Sequence, residues 1–399
     1  MDILSVIGVV LTIVSFLLLV PVAVLVLQIL ASLWPARTGS TAGTVRPRLA
    51  VLMPAHNESA GIAAALATVV PQLGDGDRVL VVADNCSDDT AGVAAAAGGE
   101  VIVREDRVRR GKGYALDFGV RHLAADPPEV LVIVDADCAV GPEALDRLAH
   151  RCRESGRPVQ ALYLMRSPPQ AGLKTRLAEF AWTVRNHARP LGFARLGLPC
   201  QLMGTGMAFP WALISAAPLA SGHLVEDLQL GLDLASAGAA PLFCPEALVT
   251  SSFPSQTEGM MAQRTRWEHG HLSVIASVGP RLIWRSVTRG RASLAAMALD
   301  LCVPPLASLV LMHLAWLVVV GASAAFGAGA TALLVTACSL LLLSSGVMLA
   351  WWRYARHIVS LLELLGAPAY VVSKIPVYAK LFGKRQIEWV RTKRDDKSN

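Results

Sequence analysis

One stretch decides the fold of this chain: VLVIVDAD at residues 130–137. Its five apolar residues, Val130–Val134, predict a buried β-strand. Asp135 and Asp137 follow at the strand end, one residue apart. Because the strand holds them rigidly, their carboxylates can share one divalent cation, and these hard oxygen ligands suit Mg²⁺ or Mn²⁺. The stretch therefore predicts a strand that carries a metal site at its carboxyl end.

Three more candidate strands precede this one, and segments compatible with helices lie between them. The candidate strands are Leu49–Met53, Val79–Val82 and Glu100–Val103. This alternation predicts an α/β fold with a mostly parallel sheet, which binds ligands beyond the carboxyl ends of its strands. Asn57 and Glu58 follow the first strand, and Asp84 follows the second. We expect them to converge with the aspartate pair on one ligand, although Asn57 and Glu58 alone also fit an ordinary turn.

Three later segments add candidates for the same site. The stretch RRGKG at residues 109–113 lacks the full spacing of a P-loop, so Lys112 is either a nucleotide contact or a basic helix start. Gly204, in the stretch GTG at residues 204–206, indicates a close approach of the backbone. Glu226 and Asp227 open the helical stretch 227–234. A carboxylate there can act as a general base. Alternatively, the two acidic residues are there only because the helix dipole stabilises negative charge at a helix N-terminus.

The stretch QRTRW at residues 263–267 is the most specific motif in the chain. Gln263 and Arg266 are three residues apart and share one helix face. Arg266 can bind a diphosphate through paired hydrogen bonds, and Trp267 offers an apolar face to a sugar or an acceptor. A helix anchored at a membrane interface by Arg and Trp is the alternative interpretation.

The order of these motifs between apolar segments resembles the processive-type family-2 glycosyltransferases, which include cellulose and hyaluronan synthases and ceramide glucosyltransferases. The resemblance covers about Arg48–Arg291 and implies a GT-A fold, which is Rossmann-like, and a single inverting displacement. It departs from the family at Val225, where Thr often precedes the acidic pair. The basic tail, from Lys384 to Arg391, resembles the tails of transferases for bacterial exopolysaccharide.

The resemblance also implies roles for individual residues. Asp137 is the expected metal ligand, and Asp135 lies beside it near the ribose or the hydration shell of the metal. Asp227, next to Glu226, is the expected catalytic base. The remaining expected contacts are to the donor or its surroundings: Asn57, Glu58, Asp84, Lys112, Gly204, Gln263, Arg266 and Trp267.

The composition predicts a membrane protein. Only 17% of the 399 residues are charged and 54% are apolar. Residues 3–34 carry no charge, and two further apolar stretches lie at about Leu294–Val320 and Ala330–Trp351. Arginines flank these segments, so the positive-inside rule puts the N-terminus outside and the catalytic domain in the cytoplasm. Much of the net charge of +6 comes from basic residues that flank the apolar segments, where anionic lipid headgroups attract them. No nucleic-acid partner is therefore expected.

These observations predict four regions: an N-terminal membrane helix (1–36), a cytoplasmic GT-A domain that includes interfacial helices (45–290), a membrane hairpin (291–352), and interfacial helices with a basic cytoplasmic tail (353–399). Whether residues 357–382 lie at the interface or span the membrane stays open. Seven scattered cysteines without a CxxC motif fit the reducing side of a membrane.

The predicted function is inverting transfer from a nucleotide diphospho-sugar, UDP-linked rather than GDP-linked, to a lipid-linked or membrane-proximal glycan acceptor at the bacterial inner membrane. One alternative is a subunit of a processive exopolysaccharide synthase, working with a synthase partner or as a homo-oligomer. A second alternative, from another class, is a Mg²⁺-dependent nucleotidyltransferase, which also needs an aspartate pair but has no need of Gln263, Arg266 and Trp267.

Overall fold

The computed structural model describes residues 3–35, 45–221, 225–253 and 257–368, and for residues 257–269 it describes the backbone alone. The described residues form two compact units. The sheet unit consists of the described parts of Ala36–Pro169 and Leu198–Gly270. The helical unit consists of the described parts of Met1–Pro35, Gln170–Gly197 and His271–Arg385. Residues 170–197 thus group with the apolar helices, although they lie inside the predicted 45–290 region.

The sheet unit is built on one eight-stranded sheet in the order β3-β2-β1-β4-β7-β6-β8-β5. The strands are β1 (Leu49–Ala55), β2 (Arg78–Asp84), β3 (Glu100–Arg104), β4 (Val130–Ile133), β5 (Ala139–Val140), β6 (Val159–Arg166), β7 (Met207–Pro210) and β8 (Leu242–Ser252). The four predicted strands are β1 to β4, and they pair in parallel. The predicted α/β class with a mostly parallel sheet is therefore confirmed.

The apolar runs form central strands because both faces of this half of the sheet are covered. All four residues of β4 are buried, and β1 is buried at six of its seven positions. Leu52 of β1, Leu116 of a covering helix and Phe209 of β7 belong to one core cluster. A strand buried on both faces needs continuous apolar residues, which explains why these runs do not alternate.

The other half of the sheet is mixed. β7 pairs antiparallel with both β4 and β6, β6 pairs parallel with β8, and β5 pairs antiparallel with β8. The antiparallel β7 brings the residues that precede it to the carboxyl end of β4, because neighbouring antiparallel strands start and end at opposite edges. The loop containing Gly204 therefore reaches the aspartate pair.

Fourteen α-helices complete the described part of the chain. They are α1 (Ile3–Ser32), α2 (Ile62–Val69), α3 (Thr90–Ala96), α4 (Lys112–Leu123), α5 (Ala144–Ser155), α6 (Leu173–Thr183), α7 (Arg189–Arg195), α8 (Trp211–Ile214), α9 (Glu226–Ala237), α10 (Thr257–Arg289), α11 (Ala292–Leu301), α12 (Leu306–Ala325), α13 (Ala330–Ala350) and α14 (Leu361–Leu365). Turns of π-helix follow α6, at Val184–Ala188, and α13, at Trp351–Ala355.

Three helices among the described residues are long and apolar enough to cross a membrane: Ile3–Ser32, Leu306–Ala325 and Ala330–Ala355. The second differs from its predicted extent. The expected continuous stretch Leu294–Val320 is divided into α11 and α12, because Pro304 and Pro305 interrupt the helix between them. Of the stretch 357–382, only the part up to residue 368 lies within the described residues, so its placement stays a prediction.

Hydrogen bonds between side chains join the three long helices inside the helical unit. Trp316 Nε1 of α12 donates to Ser15 Oγ of α1 at 2.9 Å, and Ser15 Oγ lies 3.1 Å from Thr336 Oγ1 of α13. His313 Nε2 lies 3.0 Å from Ser339 Oγ. Polar side chains of this kind are typical contacts between helices that pack in an apolar environment.

Candidate active site

The carboxylates of Asp135 and Asp137 lie just beyond the end of β4. The N–H of Asp135 donates to Thr205 Oγ1 at 3.0 Å, which fixes the start of the turn. Ligand atoms of Asp135, Asp137 and Cys138 all lie within 4.8 Å of one another. Burial, together with the charges of the two aspartates, raises the pKa of the Cys138 thiol well above its usual range. Carboxylates are hard oxygen ligands and a thiol is a soft one, so the two aspartates are the donors that fit Mg²⁺ or Mn²⁺.

Lys112 lies within this acidic site. It is the first residue of α4, and its Nζ donates to the Asp135 carboxylate and, at 2.7 Å, to the carbonyl oxygen of Gly204. Burial lowers the pKa of Lys112, but the charges of Asp135 and Glu226 raise it more, and the net pKa is above its usual value. The side chain therefore remains an ammonium in contact with a carboxylate.

Gly204 brings the loop before β7 to the same place. Its φ of +91° is in the left-handed region, which favours glycine. A Cβ atom on this residue would lie 3.3 Å from Asp227 Oδ2 and 3.8 Å from Lys112 Nζ. Three segments that are far apart in the sequence, around residues 112, 204 and 227, therefore meet at one site.

The acidic pair Glu226 and Asp227 opens α9. Burial and the neighbouring Asp227 raise the pKa of Glu226 to about 7, and Lys112 opposes this rise. The pKa of Asp135 is also raised. Burial and the charge of Asp137 raise it, and the charge of Lys112 opposes this rise. Since several carboxylates surround one ammonium, the site favours the binding of a further cation.

Asn57, Glu58 and Asp84 lie on adjoining loops at the ends of β1 and β2. Asn57 Oδ1 accepts from the N–H of Ser87 at 2.6 Å. The N–H of Glu58 donates to Thr90 Oγ1 at 2.9 Å. Asp84 is the last residue of β2 and is buried. These contacts hold the two loops together as one polar surface at the carboxyl edge of the sheet.

One residue of this surface was missed in the sequence. Arg104 is the last residue of β3, pairs in register with Asp84, and donates from Nη1 to Asp84 Oδ1 at 2.6 Å. The predicted third strand stopped at Val103, one residue short. Extending it by one residue would have placed an arginine at the same edge as the aspartate, and that is the signal that could have found it.

Gln263, Arg266 and Trp267 lie within α10, so their backbone is helical as expected. Their side chains lie outside the described residues, and their contacts with a ligand stay predictions.

The chain matches the model of a glycosyltransferase-like family 2 domain over residues 47–270. This chain belongs to glycosyltransferase family 2. The match covers more than half of the glycosyltransferase and includes every predicted site residue. Membership in the family favours the predicted glycosyl transfer over the nucleotidyltransferase alternative.

Relatives of this glycosyltransferase agree with the family assignment. An uncharacterized glycosyltransferase of Mycobacterium tuberculosis is 30% identical over 197 residues, which is 45% of this chain and 84% of the relative. The glucosyl-3-phosphoglycerate synthase of the same organism is 38% identical over 96 residues, 22% of this chain and 28% of the relative. The structure of the mannosyltransferase PcManGT from Pyrobaculum calidifontis, in complex with GDP-Man and Mn²⁺, has a TM-score of 0.53 at 19% identity and covers 95% of both chains. The last similarity confirms the predicted GT-A fold.

Proposed function

We propose that this glycosyltransferase moves a sugar, with inversion, from a nucleotide diphospho-sugar to a hydroxyl of a lipid-linked or membrane-proximal glycan. The observation that carries the proposal is the shared site of Lys112, Asp135 and Asp227 at the carboxyl edge of the sheet. Open α/β sheets bind their ligands at this edge. The GDP-Man and Mn²⁺ bound by the mannosyltransferase of similar fold support a nucleotide-sugar donor and a divalent cation.

Asp227 is the general base of the proposed reaction. It accepts the proton of the acceptor hydroxyl while the hydroxyl oxygen bonds to the anomeric carbon from one face. The bond from that carbon to the diphosphate oxygen breaks on the other face, and its electron pair leaves with the nucleoside diphosphate. Proton transfer to a positioned carboxylate contributes about 10²–10⁴-fold to a rate.

Other residues hold the two substrates for this displacement. Lys112 fixes the positions of Asp135 and of the Gly204 loop, which borders the donor sugar and the acceptor. Asp135 and Asp137 would hold Mg²⁺ or Mn²⁺, which when bound neutralises charge on the departing diphosphate. On the nucleoside side, Asp84 contacts the base or the ribose, and Asn57 and Glu58 lie beside the base and ribose. From α10, Arg266, beside Gln263, contacts the diphosphate, and Trp267 contacts the sugar or acceptor.

The membrane attachment in this proposal rests on the three long apolar helices. Arginines lie beside each of them and, by the positive-inside rule, put the N-terminus outside and the catalytic domain in the cytoplasm of a bacterial inner membrane. They are Arg37, Arg46 and Arg48 after the first helix, Arg281, Arg285, Arg289 and Arg291 before the second, and Arg353 and Arg356 after the third. The acceptor in this proposal is therefore one that is held at the membrane surface.

The full-length protein in liposomes, supplied with labelled nucleotide sugars and bacterial lipid extract, tests the proposal. We expect label to enter the lipid fraction from at least one UDP- or GDP-sugar, with an inverted anomeric configuration, and to stop when EDTA is added. Asp227→Asn should reduce transfer by about 10²–10⁴-fold while donor binding persists. Asp233→Asn, on the exposed face of the same helix, is the matched control and should transfer normally. A retained configuration, or equal losses of donor binding and rate in Asp227→Asn, would contradict the proposed role of Asp227.

A further inference from the structure

A buried threonine, Thr205, lies between the aspartate pair and the loop before β7. The residue is fully buried. Its hydroxyl oxygen accepts the N–H of Asp135 at 3.0 Å and so holds the backbone at the first aspartate. Thr205 directly follows Gly204, whose carbonyl oxygen accepts from Lys112 Nζ at 2.7 Å. Thr205 is therefore placed to act on the candidate metal site from the loop that approaches it.

The Thr205 hydroxyl also reaches the second aspartate, through the thiol of Cys138. Burial and the charges of the two aspartates raise the pKa of this thiol, and a hydrogen bond with Thr205 opposes the rise. A hydroxyl lowers the pKa of a thiol by donating to its sulfur, because that bond favours the charged form. The thiol in turn donates to Asp137 Oδ1 at 3.6 Å, since an ionised carboxylate can only accept. One hydroxyl group thus accepts from Asp135 and, through Cys138, holds Asp137.

Gln160 of β6 fixes Thr205 in this position. It is fully buried, and its side-chain amide bonds to the surrounding backbone through both its oxygen and its nitrogen. Oε1 accepts the N–H of Met203 at 2.8 Å, and Nε2 donates to the carbonyl oxygens of Thr205 and Ala161, each at 2.9 Å. The N–H of Ala161 donates to the carbonyl oxygen of Gly206 at 2.8 Å. The loop is thereby held to β6 before and after Thr205, and satisfied buried bonds of this kind make a rigid support.

We propose that Thr205 is a positioning residue for the metal site, which orients Asp135 directly and Asp137 through Cys138. This inference rests on the proposed function, in which the two aspartates hold Mg²⁺ or Mn²⁺. Groups that hydrogen-bond to metal ligands set the direction of the ligand atoms, and loss of one lowers metal affinity or activity by about 10- to 100-fold. Because Gly204 precedes Thr205, one loop then positions both the cation and, in the proposed function, the sugar.

Thr205→Val removes the hydroxyl and keeps the branched shape of the side chain. The N–H of Asp135 and the sulfur of Cys138 both lose this partner, so the affinity for Mn²⁺ alone should fall by about tenfold or more. Thr205→Ser keeps a hydroxyl, and its Mn²⁺ affinity should stay close to the wild-type value. Cys138→Ala breaks only the link to Asp137, and it should lower the affinity by less than Thr205→Val does.

The measurement is a titration of the full-length protein in detergent with Mn²⁺, in which free Mn²⁺ is read from its electron paramagnetic resonance signal. Thr90→Val is the matched control. Thr90 is also fully buried, and its hydroxyl accepts the N–H of Glu58 at 2.9 Å and donates to the carboxylate of Asp88. It lies on the nucleoside side, so its loss should lower the melting temperature but leave the Mn²⁺ affinity unchanged. Cys152→Ala, at a buried cysteine of α5, is the corresponding control for Cys138→Ala.

An equal Mn²⁺ affinity in Thr205→Val and Thr90→Val would overturn the inference and leave Thr205 as a structural residue. If Thr205→Val does not fold, Cys138→Ala decides, because an affinity equal to that of Cys152→Ala is sufficient to overturn it. Asp137→Asn separates the inference from the proposed function. If the wild type does not bind Mn²⁺, or if Asp137→Asn binds it as tightly, the proposed metal site is wrong and the inference fails with it. Binding that Asp137→Asn weakens and Thr205→Val does not weaken overturns the inference only.

Discussion

Lys112→Met tests whether the ammonium of Lys112 stabilises the acidic site of this glycosyltransferase. The wild-type side chain donates to the Asp135 carboxylate and to the Gly204 carbonyl oxygen. Methionine has a similar length and shape but removes the charge and both hydrogen bonds. The carboxylates of Asp135, Glu226 and Asp227 then lose the cation whose charge they share.

The size of the effect follows from the exposure of the pair. Removing one partner of a buried ion pair costs about 3–5 kcal/mol, because the other charge is left uncompensated. The side chain of Lys112 is 21% exposed and that of Asp135 is 30% exposed. Solvent therefore screens part of the interaction, and we expect the lower end of the range of about 3–5 kcal/mol. A loss of about 3 kcal/mol lowers the melting temperature of a unit of this size by about 6–12 °C.

Thermal unfolding of the solubilised protein, with EDTA or with Mn²⁺, measures this loss. Mn²⁺ should raise the melting temperature of Lys112→Met more than that of the wild type, because the ammonium no longer competes for Asp135. At a hundredfold excess over Kd, binding contributes about 2.7 kcal/mol. Lys174→Met, which removes an exposed lysine, is the control and should melt like the wild type. The reasoning would be refuted if Lys112→Met melted at the wild-type temperature in EDTA. It would also be refuted if Mn²⁺ raised the melting temperatures of both proteins equally.

Two more predictions concern the acid sensitivity of the fold and the motif in α10. Burial lowers the pKa of His271 to about 3, so at lower pH the unfolded chain binds a proton that the folded protein does not, and stability falls as pH drops below the ordinary value of about 6.5. The wild type should lose about 2 kcal/mol between pH 8 and pH 5 that His271→Leu retains, and equal losses in denaturant titrations would contradict this. Arg266→Lys should reduce turnover by about tenfold or more, because an ammonium cannot reproduce two parallel hydrogen bonds to a diphosphate. Near-normal turnover and donor affinity in that variant would instead favour an interfacial anchor.

The parallel half of the sheet was predictable because its signal is local. Each of β1 to β4 is a short apolar run, and a polar residue at its end marks the binding edge. The mixed half was not predicted. Its pairing of β7 with β4 and β6 joins segments far apart in the sequence, and no local pattern encodes that register. Pro304 and Pro305 did carry a local signal for the break between α11 and α12, but the apolar composition around them concealed it.

The candidate site divides in the same way. Asp135, Asp137 and the acidic pair were identifiable because their chemistry and order are visible in the sequence. Arg104 was missed, because the predicted third strand ended one residue before it and its partner lies twenty residues away in a neighbouring strand. Residues 170–197 lie in the predicted cytoplasmic region, for which interfacial helices were expected, and in the structure they group with the apolar helices.

Helix α1 is almost entirely apolar, but it also makes a buried polar contact within the helical unit that its composition does not reveal. Its sequence reads as an uncharged anchor, yet Gln28 is buried and donates to Asp300 Oδ1 at 2.6 Å. Arg189 completes the cluster, donating to Gln28 Oε1 at 3.1 Å and to Asp300 Oδ1 at 2.8 Å. Gly192 permits this contact, because a Cβ atom there would lie 1.8 Å from the carbonyl oxygen of Gln28. Without Gln28, Arg189 and Asp300 would each lose a buried hydrogen bond, so α1 is a structural component of the helical unit as well as a long apolar helix.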